Sequence, residues 1–268
     1  GTPSYRPSPN TRRPGPKTHA CEPKAAQSPR PAGSIHTRPP PRTTRSSAFR
    51  FTPGHYARLA LGAADDLVWR PYSMVSASDD DYLEFIAVLV PGGAFSQHLA
   101  QLGVGDEICV DEACFGFLTV TQLAPGRDLW LLASGTGIGP FLSIVRDPAV
   151  WHAFERLIVV HGVRHGADLA YREDFAALAR QPLVADGKAR LAYFSAITRE
   201  PGASQLAERI PQLLTDGRLE QTANATISLA DSRVMACGNP EMVFAVRQHL
   251  SALGFAPQGH KQFEGDGK

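Results

Sequence analysis

The sequence predicts two domains, a small antiparallel β-barrel followed by an α/β domain built on a doubly wound parallel sheet. Three observations predict it. The chain has 268 residues, 43% of them hydrophobic, whereas single domains usually run to about 100–200 residues. Residues 49 to 120 read as short strands separated by Gly and Pro turns, the pattern of an antiparallel sheet. From residue 127 onward, short apolar runs alternate with stretches long enough for a helix, as parallel strands joined by crossover helices require. No apolar run approaches the roughly 20 residues of a membrane-spanning helix, so no membrane association is expected.

The opening segment stands apart. Residues 1–48 hold nine Lys and Arg against the single acid Glu22, while the remainder holds eighteen against twenty-five, so a net charge of +1 divides into +8 and −7. The same segment contains eleven of the twenty-two prolines and shows neither helical nor strand periodicity. It cannot bury enough apolar surface to offset its chain entropy, and residues 1–40 are expected to be disordered. An Arg- and Ser-rich, acid-poor start also matches a transit peptide or a basic nucleic-acid arm. Closely spaced prolines break the amphipathic helix of the first, and aromatics are not interleaved for the second, so no nucleic-acid partner is expected. The four cysteines, Cys21, Cys109, Cys114 and Cys237, lack both zinc-site spacing and the density of a disulfide scaffold, which points to a reducing, cytoplasmic setting.

In the first domain, Phe51, Tyr56, Leu59 and Leu61 surround Pro53-Gly54, Tyr82 to Val90 reads as a strand, Gly103 to Asp106 as a turn into a strand through Val110, and Phe115 to Val120 as a further strand. The domain is expected to close near Gly126, which divides the folded chain into residues 41–126 and 127–268. Arg70-Pro71-Tyr72-Ser73 precedes the Tyr82 strand, and Gly92-Gly93-Ala94-Phe95-Ser96 follows it. An arginine for a diphosphate, an aromatic for a flat ring and a hydroxyl for hydrogen bonding suit a dinucleotide with a tricyclic head. A barrel strand with an exposed arginine and an inward tyrosine would read the same way.

In the second domain the apolar runs Leu129–Ala133, Leu157–Val160, Arg190–Phe194 and Arg233–Cys237 are candidate parallel strands. Such sheets bind ligands at the carboxyl ends of their strands. After the first run comes Ser134-Gly135-Thr136-Gly137-Ile138-Gly139-Pro140, and after the last Cys237-Gly238-Asn239-Pro240. Glycine turns leading into helix starts let the backbone and its free N–H groups reach a diphosphate, although tight turns also need glycine for conformation alone. A thiol at Cys237 can lie against a reacting ring or simply fill space. The middle runs end in His161-Gly162-Val163-Arg164 and lead into Thr198-Arg199-Glu200, with Arg209 ten residues beyond Arg199. Guanidinium groups there, with the Thr198 hydroxyl, suit a ribose 2′-phosphate; Glu200 and Glu208 are the ion-pair partners that would otherwise occupy them.

Taken in order, Arg70-x-Tyr72-Ser73, Gly135-Thr136-Gly137-x-Gly139-Pro140, His161-Gly162-Val163-Arg164, Thr198-Arg199-Glu200 and Cys237-Gly238-Asn239-Pro240 resemble the bacterial ferredoxin-NADP(+) reductases, from about Thr43 to Leu253. The resemblance implies an FAD-binding barrel and an NADP(H)-binding domain. Arg70 and Pro71 would lie at the FAD diphosphate, Tyr72 on the isoalloxazine and Ser73 near the flavin N5. Ile86, Ala87 and Val88 would line the flavin by backbone, and Ala94, Phe95 and Ser96 the FAD phosphates. Thr136 and Gly238 would sit where both cofactors meet, with Arg164, Thr198, Arg199 and Arg209 holding NADP and Cys237 on the hydride path. Ser73 and Cys237 are thus the candidate catalytic residues. NADPH would pass a hydride to the flavin, which would release single electrons to ferredoxin or flavodoxin, from a monomeric enzyme.

The chain departs from the family pattern at both ends. Proline-rich text replaces the family's opening, so the barrel is expected to lack a strand, and the short tail ending Phe263-Glu264-Gly265-Asp266-Gly267-Lys268 stands in place of the family's longer tail with its flavin-covering aromatic. A wrongly joined reading frame would produce such an opening. Two other readings fit the sequence: the reductase component of an oxygenase-type system, though no further cysteines lie at cluster spacing, and a non-catalytic remnant deficient in FAD that serves as an interaction protein.

Overall fold

The structure, a computed structural model, describes residues 17–20, 41–63, 66–180 and 189–257. The disorder expected of residues 1–40, apart from 17–20, and the short tail at Phe263 lie outside the described residues.

The first lobe is antiparallel. Strands β1 (Lys17–Ala20), β2 (Arg42–Thr44), β3 (Tyr56–Leu61), β4 (Val68–Ser73) and β5 (Tyr82–Glu84) are followed by helix α1 (Ala94–Gln101) and β6 (Glu107–Phe115). A four-stranded sheet runs β1-β6-β3-β4, and β2 pairs with β5 separately. Ala57, Leu59 and Leu61 of β3 are buried while Arg58 between them is exposed, the alternation of a strand with one face on the core. Met74, Leu83, Phe85, Ile108 and Val110 complete that core, and Phe95 and Leu99 of α1 plug it.

Three expectations change. Lys17–Ala20 is not disordered: β1 pairs antiparallel with β6 from Lys17↔Val110 to Ala20↔Glu107. A backbone added to a sheet edge needs no side-chain periodicity, so local patterning carries no sign of it. The strand expected at Tyr82–Val90 keeps regular pairing only to Glu84, with one further bridge between Phe85 and Met74. The strand expected at Phe115–Val120 does not form, because β6 runs unbroken to Phe115, Gly116 at φ 108° ends it, and a 3-10 turn occupies Val120–Gln122.

The second lobe alternates strand and helix: β7 (Asp128–Ser134), α2 (Ile138–Val145), α3 (Pro148–Ala153), β8 (Arg156–Val163), α4 (Arg172–Arg180), β9 (Arg190–Ile197), α5 (Ile210–Thr215), α6 (Arg218–Ala223), β10 (Ser232–Cys237) and α7 (Pro240–Ala252). All four strands are parallel in the order β10-β7-β8-β9. The central β7 is buried from Asp128 to Ala133, as a strand covered on both faces must be. Leu129 and Leu131 face one apolar layer with α2, α3 and Phe175 of α4, and Trp130 and Leu132 face the other with α5, α6 and α7. The chain leaves β7 toward β8 and β9 and returns to β10 on the other side, so the sheet changes direction between β7 and β10. That switch point is where open parallel sheets form their binding crevice. Val75 and Ile86 from the barrel belong to the first of these two layers, so one apolar core runs across the lobe boundary.

Candidate active site

The switch point opens onto the barrel in a cavity of about 550 Å³, within the range of small-molecule sites. Arg70, Pro71, Tyr72 and Ser73 of β4 form one wall, Ile86, Val88 and Val90 a second, and Gly93 to Ser96 at the start of α1 a third. The nucleotide lobe contributes Thr136, Gly137, Cys237 and Gly238. Of the residues predicted from sequence, Arg70, Pro71, Tyr72, Ser73, Ile86, Val88, Ala94, Phe95, Ser96, Thr136, Cys237 and Gly238 therefore meet in one place. Ala87 does not line it by side chain: it is buried in the barrel core while its neighbours face the cavity.

Local chemistry explains each wall. β4 is an edge strand, so Pro71 removes no interior ladder bond. The Tyr72 ring packs 5.2 Å from that of Phe95, inclined by 34°, and burial, opposed by Arg70, raises the Tyr72 phenol above its ordinary pKa. Arg70 is exposed and donates to the Trp69 carbonyl at 2.7 Å. Gly93 caps α1 with no side-chain bond of its own, and the amides of a first helical turn have no partner within the helix. The Ser96 hydroxyl accepts from Val90 N–H at 2.9 Å, which ties the preceding loop to the helix start.

On the facing side, the Gly135–Gly137 turn is held from below by His161. The fully buried imidazole donates from Nε2 to the Gly135 carbonyl at 2.9 Å and accepts at Nδ1 from the Tyr193 hydroxyl at 3.0 Å. A carbonyl can only accept, so the pairing fixes which nitrogen carries the proton. A Cβ at Gly137 would collide with the Cys237 carbonyl, and one at Gly238, whose φ is 129°, with Ser134. Both positions require glycine for the loops after β7 and β10 to approach this closely. Asn239 N–H donates to Ser134 Oγ at 2.8 Å, and the Asn239 side chain accepts from Glu241 and Met242 to open α7. Burial pushes the Cys237 thiol up to about 11, against a smaller opposing effect of the Gly238 amide. It is a neutral thiol at ordinary pH.

Arg164, Thr198, Arg199 and Arg209 lie outside this cavity, after β8, after β9 and at the start of α5. Backbone bonds join the first two loops: Thr198 N–H to the Val163 carbonyl at 3.0 Å and Arg199 N–H to the Arg164 carbonyl at 2.9 Å. The three guanidinium groups are exposed and, among the described residues, none is in an ion pair. Glu200, the competitor nearest in sequence, instead accepts from Gly166 N–H at 3.0 Å and pairs with His165 at 3.2 Å. Thr198 spends its hydroxyl proton on the Val163 carbonyl at 3.2 Å, so donation to a phosphate requires that bond to be given up.

Sequence reasoning placed Gly93, Ser134 and Gly137 in its motifs without assigning them a contact, and missed Val90 and the supporting roles of His161 and Tyr193. Val90 closely precedes the Gly92–Ser96 motif and was within reach; the His161–Tyr193 pair joins neighbouring strands and left no local signal.

Comparison with known proteins agrees with this arrangement. Residues 42–114 match the family described as an oxidoreductase FAD-binding domain, and residues 131–248 the oxidoreductase NAD-binding domain. Ferredoxin–NADP reductase A of Sorangium cellulosum is 38% identical over 232 residues, covering 84% of this chain and 81% of that protein. The flavodoxin/ferredoxin–NADP reductase of Escherichia coli is 37% identical, covering 75% and 79%. The solved ferredoxin NADP+ reductase of Neisseria gonorrhoeae with bound FAD and NADP superimposes with a TM-score of 0.78 at 29% identity, covering 91% of this chain and 94% of that one. The chain belongs to the ferredoxin–NADP reductase family.

Proposed function

We propose that the protein is an FAD-dependent oxidoreductase that moves electrons between NADPH and a one-electron carrier, ferredoxin or flavodoxin. The observation that carries this reading is the single cavity in which the Arg70–Ser73 strand of one lobe faces Thr136 and Cys237 of the other.

The residues present fit both cofactors. Tyr72 and Phe95 give an aromatic wall for a flat ring, the α1 start offers unpaired amides to a phosphate, and Gly137 and Gly238 let the loops after β7 and β10 close together at the cavity. Bound FAD would supply the conversion between a hydride and single electrons. The protein would supply position: Tyr72 would pack on the ring, Ser73 would present its hydroxyl near the reacting edge, and Arg70 would neutralise the diphosphate. Thr136 and Gly238 would shape the pyridine slot, while the uncharged Cys237 thiol would keep water and charge from the hydride path. Arg164, Arg199 and Arg209, with Thr198 after rotation, would take the 2′-phosphate. That the arginines are unpaired while Glu200 is engaged elsewhere supports this division of roles.

We assign residues 41–126 to the flavin domain and 127–268 to the nucleotide domain, and read the enzyme as a monomer of the cytoplasm. Among the described residues no helix is long and apolar enough to cross a membrane, and the three described cysteines are free thiols. Purified protein should be yellow and should reduce a one-electron dye with NADPH. Colourless protein that FAD cannot reconstitute would overturn the assignment.

A further inference from the structure

The boundary between the lobes holds a buried charge that plays no part in gripping either cofactor. Glu84, the last residue of β5, has no exposed surface. One carboxylate oxygen accepts from Arg42 Nη2 at 2.9 Å, and the other accepts from the Tyr171 hydroxyl at 3.0 Å. Arg42 belongs to the barrel and Tyr171 to the nucleotide lobe, so the carboxylate is a bond between them. A carboxylate taken out of water is costly unless its oxygens are paired, and the Tyr171 hydroxyl is the partner that reaches it from the nucleotide lobe.

Tyr171 bears a second cost. Its φ is 57°, a left-handed conformation that a non-glycine residue adopts only when its surroundings enforce it. Its carbonyl accepts from Phe175 N–H at 3.1 Å, so the strained residue also opens α4. Burial and then the Glu84 charge raise the phenol far above its ordinary pKa, which keeps it a donor.

The segment that carries Glu84 continues directly into the active site. Residues two apart in extended backbone share a face. Glu84 meets Tyr171; Ile86 packs on α2 where a Cβ at Gly139 would stand 2.8 Å from its Cγ2; Val88 lines the cavity. Helix α2 is also held directly: Ser143 Oγ donates to the Ser76 carbonyl at 2.8 Å and Arg146 Nη1 to the Val75 carbonyl at 3.1 Å. Arg146 Nη2 then pairs with Asp174 of α4 at 3.0 Å. The helix whose start carries the Thr136 turn is thus fixed against the strand whose far end lines the flavin wall.

We propose that Tyr171 is a positioning residue for hydride transfer: its bond to Glu84 seats the nucleotide lobe on the barrel and sets the separation between Thr136–Cys237 and Tyr72–Ser73. The proposal rests on the electron-transfer reading above. Stored strain and a shared face with the cavity wall distinguish this bond from one that serves stability alone.

The test uses the full-length, flavin-loaded protein and Tyr171→Phe, which removes one hydroxyl and keeps the ring. Flavin content and NADPH affinity should stay within twofold of wild type. Hydride transfer, followed as flavin bleaching after rapid mixing, should slow at least tenfold, and the long-wavelength absorbance of the NADPH–flavin complex should weaken. Reoxidation of prereduced enzyme by ferricyanide should be unchanged, and hydrogen exchange of the flavin-free protein should quicken at residues 74–76 and 171–175. An unchanged hydride-transfer rate with only a lower Tm would overturn the proposal, as would a slowing matched by an equal loss of NADPH affinity. Should Tyr171→Phe not hold flavin, Ser143→Ala loosens the same seating from α2. A roughly threefold slower transfer is then expected, and an unaltered rate refutes the idea. Wild type that never takes up flavin would sink the functional reading; normal wild type beside an unaffected Tyr171→Phe sinks only the role of Tyr171.

Discussion

Along β4, Arg70–Ser73 sit in a ladder with β3 from Arg70↔Leu59 to Ser73↔Tyr56, and Tyr72 packs on Phe95. Arg164 and Arg199 instead stand exposed after strand ends and Arg209 exposed at the start of α5, and only the first two are joined by a backbone bond. A flat ring is recognised by shape, which must exist before the ring arrives, because packing is lost over fractions of an ångström. A phosphate is recognised by charge, which acts over several ångströms and tolerates mobile side chains. Damage to the first kind of wall should therefore change geometry, and damage to the second should change affinity for one coenzyme.

The largest effect is expected where the lobes close on each other. Gly238→Ala places a Cβ against Ser134 at a φ of 129°, and should lower NADPH-driven dye reduction roughly a hundredfold, equivalent to about 2.7 kcal/mol. Flavin absorbance should survive; full activity in this variant would show that the two loops need not approach so closely.

Next comes the charged rim. Replacing Arg199 and Arg209 together by alanine removes two solvent-screened charge contacts worth about 1 kcal/mol each, so KM for NADPH should rise about thirtyfold. NADH kinetics should hardly change, since that coenzyme has no 2′-phosphate. Equal losses with both coenzymes would remove these arginines from the site.

The smallest effect sharpens the comparison from the side of the cavity that faces the ring-binding wall. Cys237→Ser should slow hydride transfer by less than about tenfold, or 1.4 kcal/mol, without loss of flavin. The neutral thiol persists until the pH approaches about 11, so the wild-type rate should show no cysteine ionisation between pH 6 and 9, a range of measurement chosen around the usual thiol pKa of about 8.5. A step in that window that vanishes in Cys237→Ser would mean that the thiolate, not the thiol, takes part.

The parallel lobe was legible because its strands are continuous apolar runs punctuated by glycine turns at their carboxyl ends, and the ends of β7 and β10 line the cavity. The barrel was legible in kind but not in its limits. Residues 86–90 look like the rest of a strand, yet Ile86 turns to the nucleotide lobe's core, a partner that no local pattern announces. β1 is joined to β6 through backbone, which side-chain patterning does not record. The Glu84–Tyr171 bond spans 87 positions, and neither residue is unusual in its own neighbourhood. Tertiary juxtaposition, not propensity, created each feature that the sequence withheld.

The bond between Asn239 and Ser134 joins residues 105 positions apart, and it bears on how the enzyme is born. At a synthesis speed of about 5–20 residues per second, roughly 5–20 s separate the emergence of these two partners. The barrel strands and α1 have left the ribosome long before β10. On the proposed assignment of the cavity, a nascent chain would own most of a flavin berth while still lacking the last piece of its pyridine slot, and the electron donor would gain a docking place only when the final strand is laid beside β7.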